Sequence, residues 1–281
     1  IRYHVTTGYL GDHRFQLLKE KARVAKDSMR QLGAVRILAY FDENWMENTR
    51  WKTGSQWGLQ DHAFLLEKVI SDSEFGLILK PKNPRTLRAR LRPLGNLLKQ
   101  AEATGRCRVY EDGLISSRHS PAEAALASDI AVHGFLTGAT AGLEAALAGV
   151  PSLVLDRDGW PDSPLHRMGT GQVVFTDIGQ MWDACQEHWS SPGSVPGLGD
   201  WSSHLDEFDP FRDGRAAARM GEYVNWLIEG FKEGLDRETI MANAADRYCA
   251  EWGSDKVVSI NGGVPDASPI SAANPMSPAN F

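Results

Sequence analysis

The feature that most constrains this chain is the alternation of short apolar runs with helical patterns between residues 34 and 190. The runs "AVRILAYF", "FGLILK", "CRVYE", "DIAVH", "SLVLD" and "QVVF" are each of strand length, and amphipathic or small-residue segments separate them. A strand with one wet face alternates polar and apolar residues, whereas most of these runs are apolar through their centres, with polar residues mainly at their ends. They predict an α/β fold: a Rossmann-like parallel sheet with helices on both faces, followed by C-terminal helices. Sheets of that kind take their ligands at the carboxyl ends of the strands, so the loops leaving those ends are the places to search.

The rest of the chain divides around this core. Residues 1–33 read as a linker and a helix, "RFQLLKEKARVAKDSMRQLG", with Phe15, Leu18, Ala22 and Met29 at helical spacing and Gly33 as its stop. Inside residues 34–190 a long loop, "DENWMENTRWKTGSQWG", leads to an amphipathic helix, a basic helical segment is interrupted at Pro93, and Ser120-Pro121 opens a helix. Residues 191–212, rich in Ser, Pro, Gly, Trp and Asp, read as an irregular connection. Residues 213–253 carry two helical patterns, and residues 254–281 have too little to bury and read as a disordered or surface-draped tail.

Composition removes several classes of function. A net charge of −6 argues against a general nucleic-acid binder, although positive charge gathers in "LKPKNPRTLRARLRP", which suits either a compact anion or a solvated helix face. No run approaches the roughly 20 apolar residues of a membrane span. Cys107, Cys185 and Cys249 stand far apart and read as reduced thiols. No HExxH, GxSxG or phosphate-loop pattern is present, and no His/Asp set has metal-ligand spacing, so no metal and no cofactor is expected.

The most informative unit is "SDIAVHGFLTGATAGLEAALAGVPSLVLD", Ser128 to Asp156: a strand, a Gly/Thr loop, a small-residue helix and a second strand. Gly134, Gly138 and Gly142 permit positive φ or close backbone approach, and Thr137 and Thr140 can cap the helix or bond an anion. The helix start, with its exposed N–H groups and dipole, is a natural phosphate seat. Glu144 sits one turn further on, among alanines. It reads either as a dipole-stabilising or salt-bridging residue or as an acceptor for a ribose diol, which a carboxylate can bind through two hydrogen bonds.

This segment resembles the nucleotide-binding part of the C-terminal domain of GT-B glycosyltransferases, of the surface and capsular polysaccharide type, and of the related UDP-N-acetylglucosamine 2-epimerases. "VTTGYLGDHRF" is similar to the junction that joins the two domains of such transferases, and "DGRAAARMGEYVNWLIEGF" to their closing helix. The resemblance implies that Thr137, Gly138 and Thr140 meet the donor diphosphate and Glu144 the donor ribose. It implies metal-independent transfer from a nucleotide sugar, the donor being a substrate rather than a cofactor, to a glycan or lipid-linked acceptor. It further implies an N-terminal domain outside this chain that supplies the catalytic base, so no catalytic residue is assigned. The implied location is cytoplasmic, free or peripherally at the inner face of the membrane. The chain begins at Ile1 and not Met, which suits a fragment or a processed protein.

Other candidates follow from the same frame. His133 ends the strand before the loop and reads as a phosphate or base contact, or as a core histidine. Lys80 and Lys82 close another strand and could balance diphosphate charge, or be solvated. Asp156, Arg157 and Asp158 follow the strand after the Glu144 helix, beside the expected sugar. Asp42 and Glu43 follow the first strand, where two acids would repel a diphosphate. "YEDG", Tyr110 to Gly113, resembles an acidic motif of bacterial sialyltransferases but follows the basic loop, so a strand-end turn is the better reading. Two rival functions share the fold: a nucleotide-sugar 2-epimerase, and a non-catalytic carbohydrate or assembly module.

Overall fold

The structure is a computed structural model, and it describes residues 2–45, 54–112, 118–136, 139–157 and 159–260. Backbone packing divides the chain into two units, Gly11–Gly214 and a second one formed by Ile1–Leu10 with Arg215–Phe281.

In the larger unit, helix α1 (His13–Gln31) is followed by strand β1 (Arg36–Asp42), α2 (Ser55–Ser71), β2 (Phe75–Pro81), α3 (Pro84–Arg90), α4 (Gly95–Ala103) and β3 (Cys107–Val109). Then come α5 (Pro121–Leu126), β4 (Ile130–His133), α6 (Thr140–Leu147), β5 (Ser152–Leu155), β6 (Val174–Phe175), α7 (Ile178–Ser190) and the short α8 (Leu205–Phe208). All six strands run parallel in the order β3-β2-β1-β4-β5-β6. This is the Rossmann-like parallel sheet predicted from the alternation of apolar runs, and its order is doubly wound. The direction of winding reverses between β1 and β4, leaving a crevice beyond their carboxyl ends.

The strand side chains sort by parity, as the pleat requires. Leu38 and Tyr40 of β1 join Leu77 and Leu79 of β2 in one cluster, with Leu65, Leu66 and Val69 of α2, Leu98 of α4 and Met181 and Trp182 of α7. Ile37, Ala39 and Phe41 join Ile78 on the other face, where Ala22 and Met29 of α1, Ala124 and Ala125 of α5 and Ala145 of α6 meet them. The alanines therefore have a structural reason: they let α5 and α6 lie close to the sheet.

Helix starts follow local chemistry. Asn83, Ser120 and Asp177 cap α3, α5 and α7 by accepting from backbone N–H groups, with proline at the first turn of α3 and α5. The expected break at Pro93 appears as a short 3-10 turn, Arg92–Leu94, between α3 and α4. The stretch read as an irregular connection contains α8 and buries Leu198 and Trp201, whose indole N–H donates to the Ser152 carbonyl at 2.8 Å.

The smaller unit departs from the expected boundaries. Residues Tyr3–Val5 pair antiparallel with Val257–Ser259, so the first residues and the start of the supposed tail form one two-stranded ladder. With them go α9 (Ala216–Lys232) and α10 (Arg237–Trp252). The Tyr248 hydroxyl donates to the Thr6 carbonyl at 2.7 Å, and the buried Arg219 donates to the Thr7 carbonyl at 3.1 Å. The helix of residues 13–31, expected to go with the linker, instead packs on the sheet of the larger unit through Ala22 and Met29. Residues 261–281 of the predicted tail lie outside the described residues.

Candidate functional site

A cavity of about 230 Å³ opens at the reversal point of the sheet. Phe41, Asp42 and Glu43 line it from the end of β1, Lys80 and Lys82 from the end of β2, and His133 from the end of β4. Thr140, Ala141 and Glu144 line it from the first turn and a half of α6, and Pro121 from the start of α5. Five residues singled out in the sequence, Lys80, Lys82, His133, Thr140 and Glu144, are thus brought to one place from three elements.

Glu144 is partly buried, and its Oε1 accepts the Ala122 N–H at 2.9 Å. It therefore satisfies one of the orphan donors at the start of α5, a neighbouring helix and not its own, while bordering the cavity. Among the described residues no side chain caps α6 itself, whose first residue, Thr140, is exposed. Thr140 and Ala141 at that end line the cavity.

Lys80 is 7% exposed, and its ammonium donates to the Pro81 carbonyl at 2.8 Å, its one hydrogen-bond partner among the described residues. Burial lowers its pKa from the ordinary lysine value, opposed by the carboxylates of Glu144, Asp42 and Glu123. A buried ammonium with spare donors is costly unless something anionic completes it. Lys82 is different: it is exposed, and its Nζ lies 2.7 Å from Glu43.

The expected repulsion by Asp42 and Glu43 is offset within the protein. Arg90 of α3 grips Asp42 with contacts of 2.5 and 3.1 Å, the Trp45 indole donates to the same carboxylate at 2.9 Å, and the guanidinium lies over the Trp45 ring. Glu43 is answered by Lys82. Nothing local in the sequence marks Arg90, because its partner is 48 residues away.

Other predicted residues are placed elsewhere. Arg157 turns inward to Asp61 of α2, with Nη2 to Oδ1 at 2.5 Å, donates to the Thr176 carbonyl at 3.0 Å and stacks on Trp57. Asp61 is fully buried, and burial raises its pKa against the opposing pull of Arg157. Asp156 caps the following turn by accepting from Gly159 N–H at 2.8 Å, with His166 at 3.5 Å. Thr137, Gly138 and Asp158 lie outside the described residues. Gly134 has a packing reason: a Cβ there would stand 2.2 Å from the Tyr40 hydroxyl, and its φ is not positive.

The strand-end reading of "YEDG" has matching contacts. Tyr110 stacks on His119, and burial pushes its phenol up to about 12. Glu111 pairs with Arg88 at 2.6 Å, and Asp112 faces His119 at 3.5 Å. His119 also meets the buried Glu123 at 2.6 Å, which Lys21 of α1 reaches at 2.9 Å.

No family model matches this sequence, and no curated protein matches it. Among solved structures, a UDP-forming α,α-trehalose-phosphate synthase from Burkholderia xenovorans is similar with a TM-score of 0.43 and 14% sequence identity, over 73% of this chain and 49% of that one. The chain spans about half the length of that structure.

Proposed function

We propose that this chain binds a nucleotide-sugar donor as one half of a GT-B glycosyltransferase-like protein, which transfers the sugar to a surface polysaccharide or other glycan acceptor. The observation that carries the reading is the buried Lys80 ammonium, with a single carbonyl partner among the described residues, in a cavity at the reversal point of a Rossmann-like sheet. A donor phosphate would complete Lys80 and meet the start of α6. Glu144, on the same wall, would accept from the ribose hydroxyls.

In transfer, negative charge grows on the departing nucleotide as the glycosidic bond to it breaks. Fixed donors from Lys80 and the helix start would stabilise that charge without reorganising. Asp42 and Glu43, held by Arg90 and Lys82, leave the neighbouring field close to neutral. Calorimetric titration of the full chain with UDP-, GDP-, CDP- and CMP-linked sugars tests the reading; absence of binding by all of them would sink it.

The 2-epimerase reading draws support from the cavity too, since carboxylates and a histidine share it. Incubating the protein with a UDP-linked N-acetyl sugar and no acceptor, and following the sugar by NMR, separates the two. Inversion at C2 favours the epimerase, and an unchanged donor favours the transferase half.

A further inference from the structure

His133 is 2% exposed at the carboxyl end of β4, and its Nδ1 lies 2.6 Å from the Phe135 carbonyl oxygen. A carbonyl only accepts, so at that distance Nδ1 carries the hydrogen. The Phe135 N–H, at 3.4 Å from the same nitrogen, is a poor competitor. In the neutral ring Nε2 is then a bare lone pair. It stands 3.6 Å from Glu43 Oε1, on the side where Glu43 borders the cavity. A lone pair repels a phosphate oxygen, whereas an imidazolium N–H binds one.

The charges facing the ring come from every element around it. Glu43 and Asp42 at the end of β1 favour the proton, and Lys82 after β2 opposes it. Lys80 of β2 and Glu144 of α6 border the same cavity, and α6 approaches the base of the His133 side chain at Gly142, where a Cβ would stand 3.6 Å from the His133 Cβ. Burial outweighs the rest and holds His133 below the ordinary histidine range, so without ligand the ring is neutral near pH 7. Glu43 is the strongest of the groups favouring the proton, but it is shared with Lys82 and does not offset burial.

Resting on the donor-site reading above, we propose that His133 meets the donor phosphate as an imidazolium, donating from Nε2, so that each donor bound brings one proton into the site. Nδ1 stays on Phe135 throughout, and only Nε2 changes state. Affinity is then insensitive to pH while the free ring is already protonated. It falls by about tenfold per pH unit above the free ring's midpoint, up to the midpoint of the bound ring.

The test is calorimetry of the full chain with a nucleotide sugar whose phosphates do not titrate above pH 5, in two buffers of different ionisation enthalpy, from pH 5.5 to 8.5. The expected result is uptake of about one proton per donor near pH 7 and the stated slope in Kd. The variant His133→Gln, which keeps an N–H donor, is expected to bind with neither uptake nor slope. Binding by wild type with no proton uptake and a flat Kd overturns the proposal and leaves the donor site standing. Uptake that persists in His133→Gln also overturns it, by assigning the proton to another group such as Lys80. Absence of binding at every pH removes the donor site and this proposal together.

Discussion

Glu144 borders the cavity and also holds the start of α5, so a single substitution cannot separate its two jobs, but a pair can. In Glu144→Gln an amide oxygen remains to accept the Ala122 N–H now bonded at 2.9 Å, whereas Glu144→Ala removes that acceptor. A helix-start acceptor is worth about 1 kcal/mol, so Ala is expected to lower stability by about that much and Gln by a few tenths. On the ligand side, hydrogen bonds to a charged group are worth about 1.5–3 kcal/mol against about 0.5–1.5 for neutral ones. Gln is therefore expected to weaken nucleotide-sugar binding by about 1–2 kcal/mol, roughly 5- to 30-fold, and Ala by more. A second effect adds to this: of the carboxylates around Lys80, Glu144 is the one that most strongly supports the charge on its ammonium, and either variant removes it. Urea denaturation and calorimetry on the same samples give both numbers. Wild-type affinity in Glu144→Gln would refute the ribose role, leaving Glu144 as a helix cap alone.

Three other outcomes follow from the same contacts. Lys80→Met removes a buried, under-partnered ammonium, so it is expected to weaken donor binding at least tenfold while raising stability at pH 7. Because the folded-state pKa of Lys80 is lowered, its penalty is present below that pKa and relieved as pH rises towards the unfolded value, so the stability advantage of Met over wild type shrinks between pH 7 and 10 in denaturant melts. Arg157→Ala strands the fully buried Asp61 and is expected to cost about 3–5 kcal/mol at pH 7.5. The loss shrinks as the pH is lowered, because burial raises the Asp61 pKa and its protonation removes the stranded charge; a loss that does not change with acidification would contradict the pairing. Gly134→Ala drives a methyl into the Tyr40 hydroxyl and is expected to cost about 1–3 kcal/mol, partly recovered in the double variant with Tyr40→Phe, as thermal melts will report.

What the sequence revealed follows from how local each signal is. The six strands were readable because each is a short, largely apolar run between helical patterns; their order in the sheet was not, because a right-handed crossover fixes the face a helix covers but not which strand is the neighbour. Ser120-Pro121 marked a helix start because capping chemistry acts over three residues. The grouping of Lys80, His133 and Glu144 was readable because strand ends of one parallel sheet meet on one edge. Long-range partners were not readable: nothing near Arg90 points to Asp42, and nothing near Tyr3 points to Ser259. Arg157 was misleading for the same reason, since a residue just past a strand end can aim at the ligand or back under the sheet. Asp61 carried a usable sign, a charge inside the apolar pattern of "LQDHAFLL", of the same kind that drew attention to Glu144.

The strand order has a consequence for assembly. Because β1 lies at the middle of the sheet and later strands are added outward on either side, the walls of the cavity belong to the two opposite directions of growth. Lys80 arrives with the strand on one flank, His133 and Glu144 with the strand and helix on the other. The cavity comes into being only when both flanks have docked on β1, so nucleotide-binding competence should lag behind the burial of Leu77 and Leu79 during refolding. A ligand for this site would act on the protein as a late-stage clasp, slowing loss of the fold more than it speeds its formation.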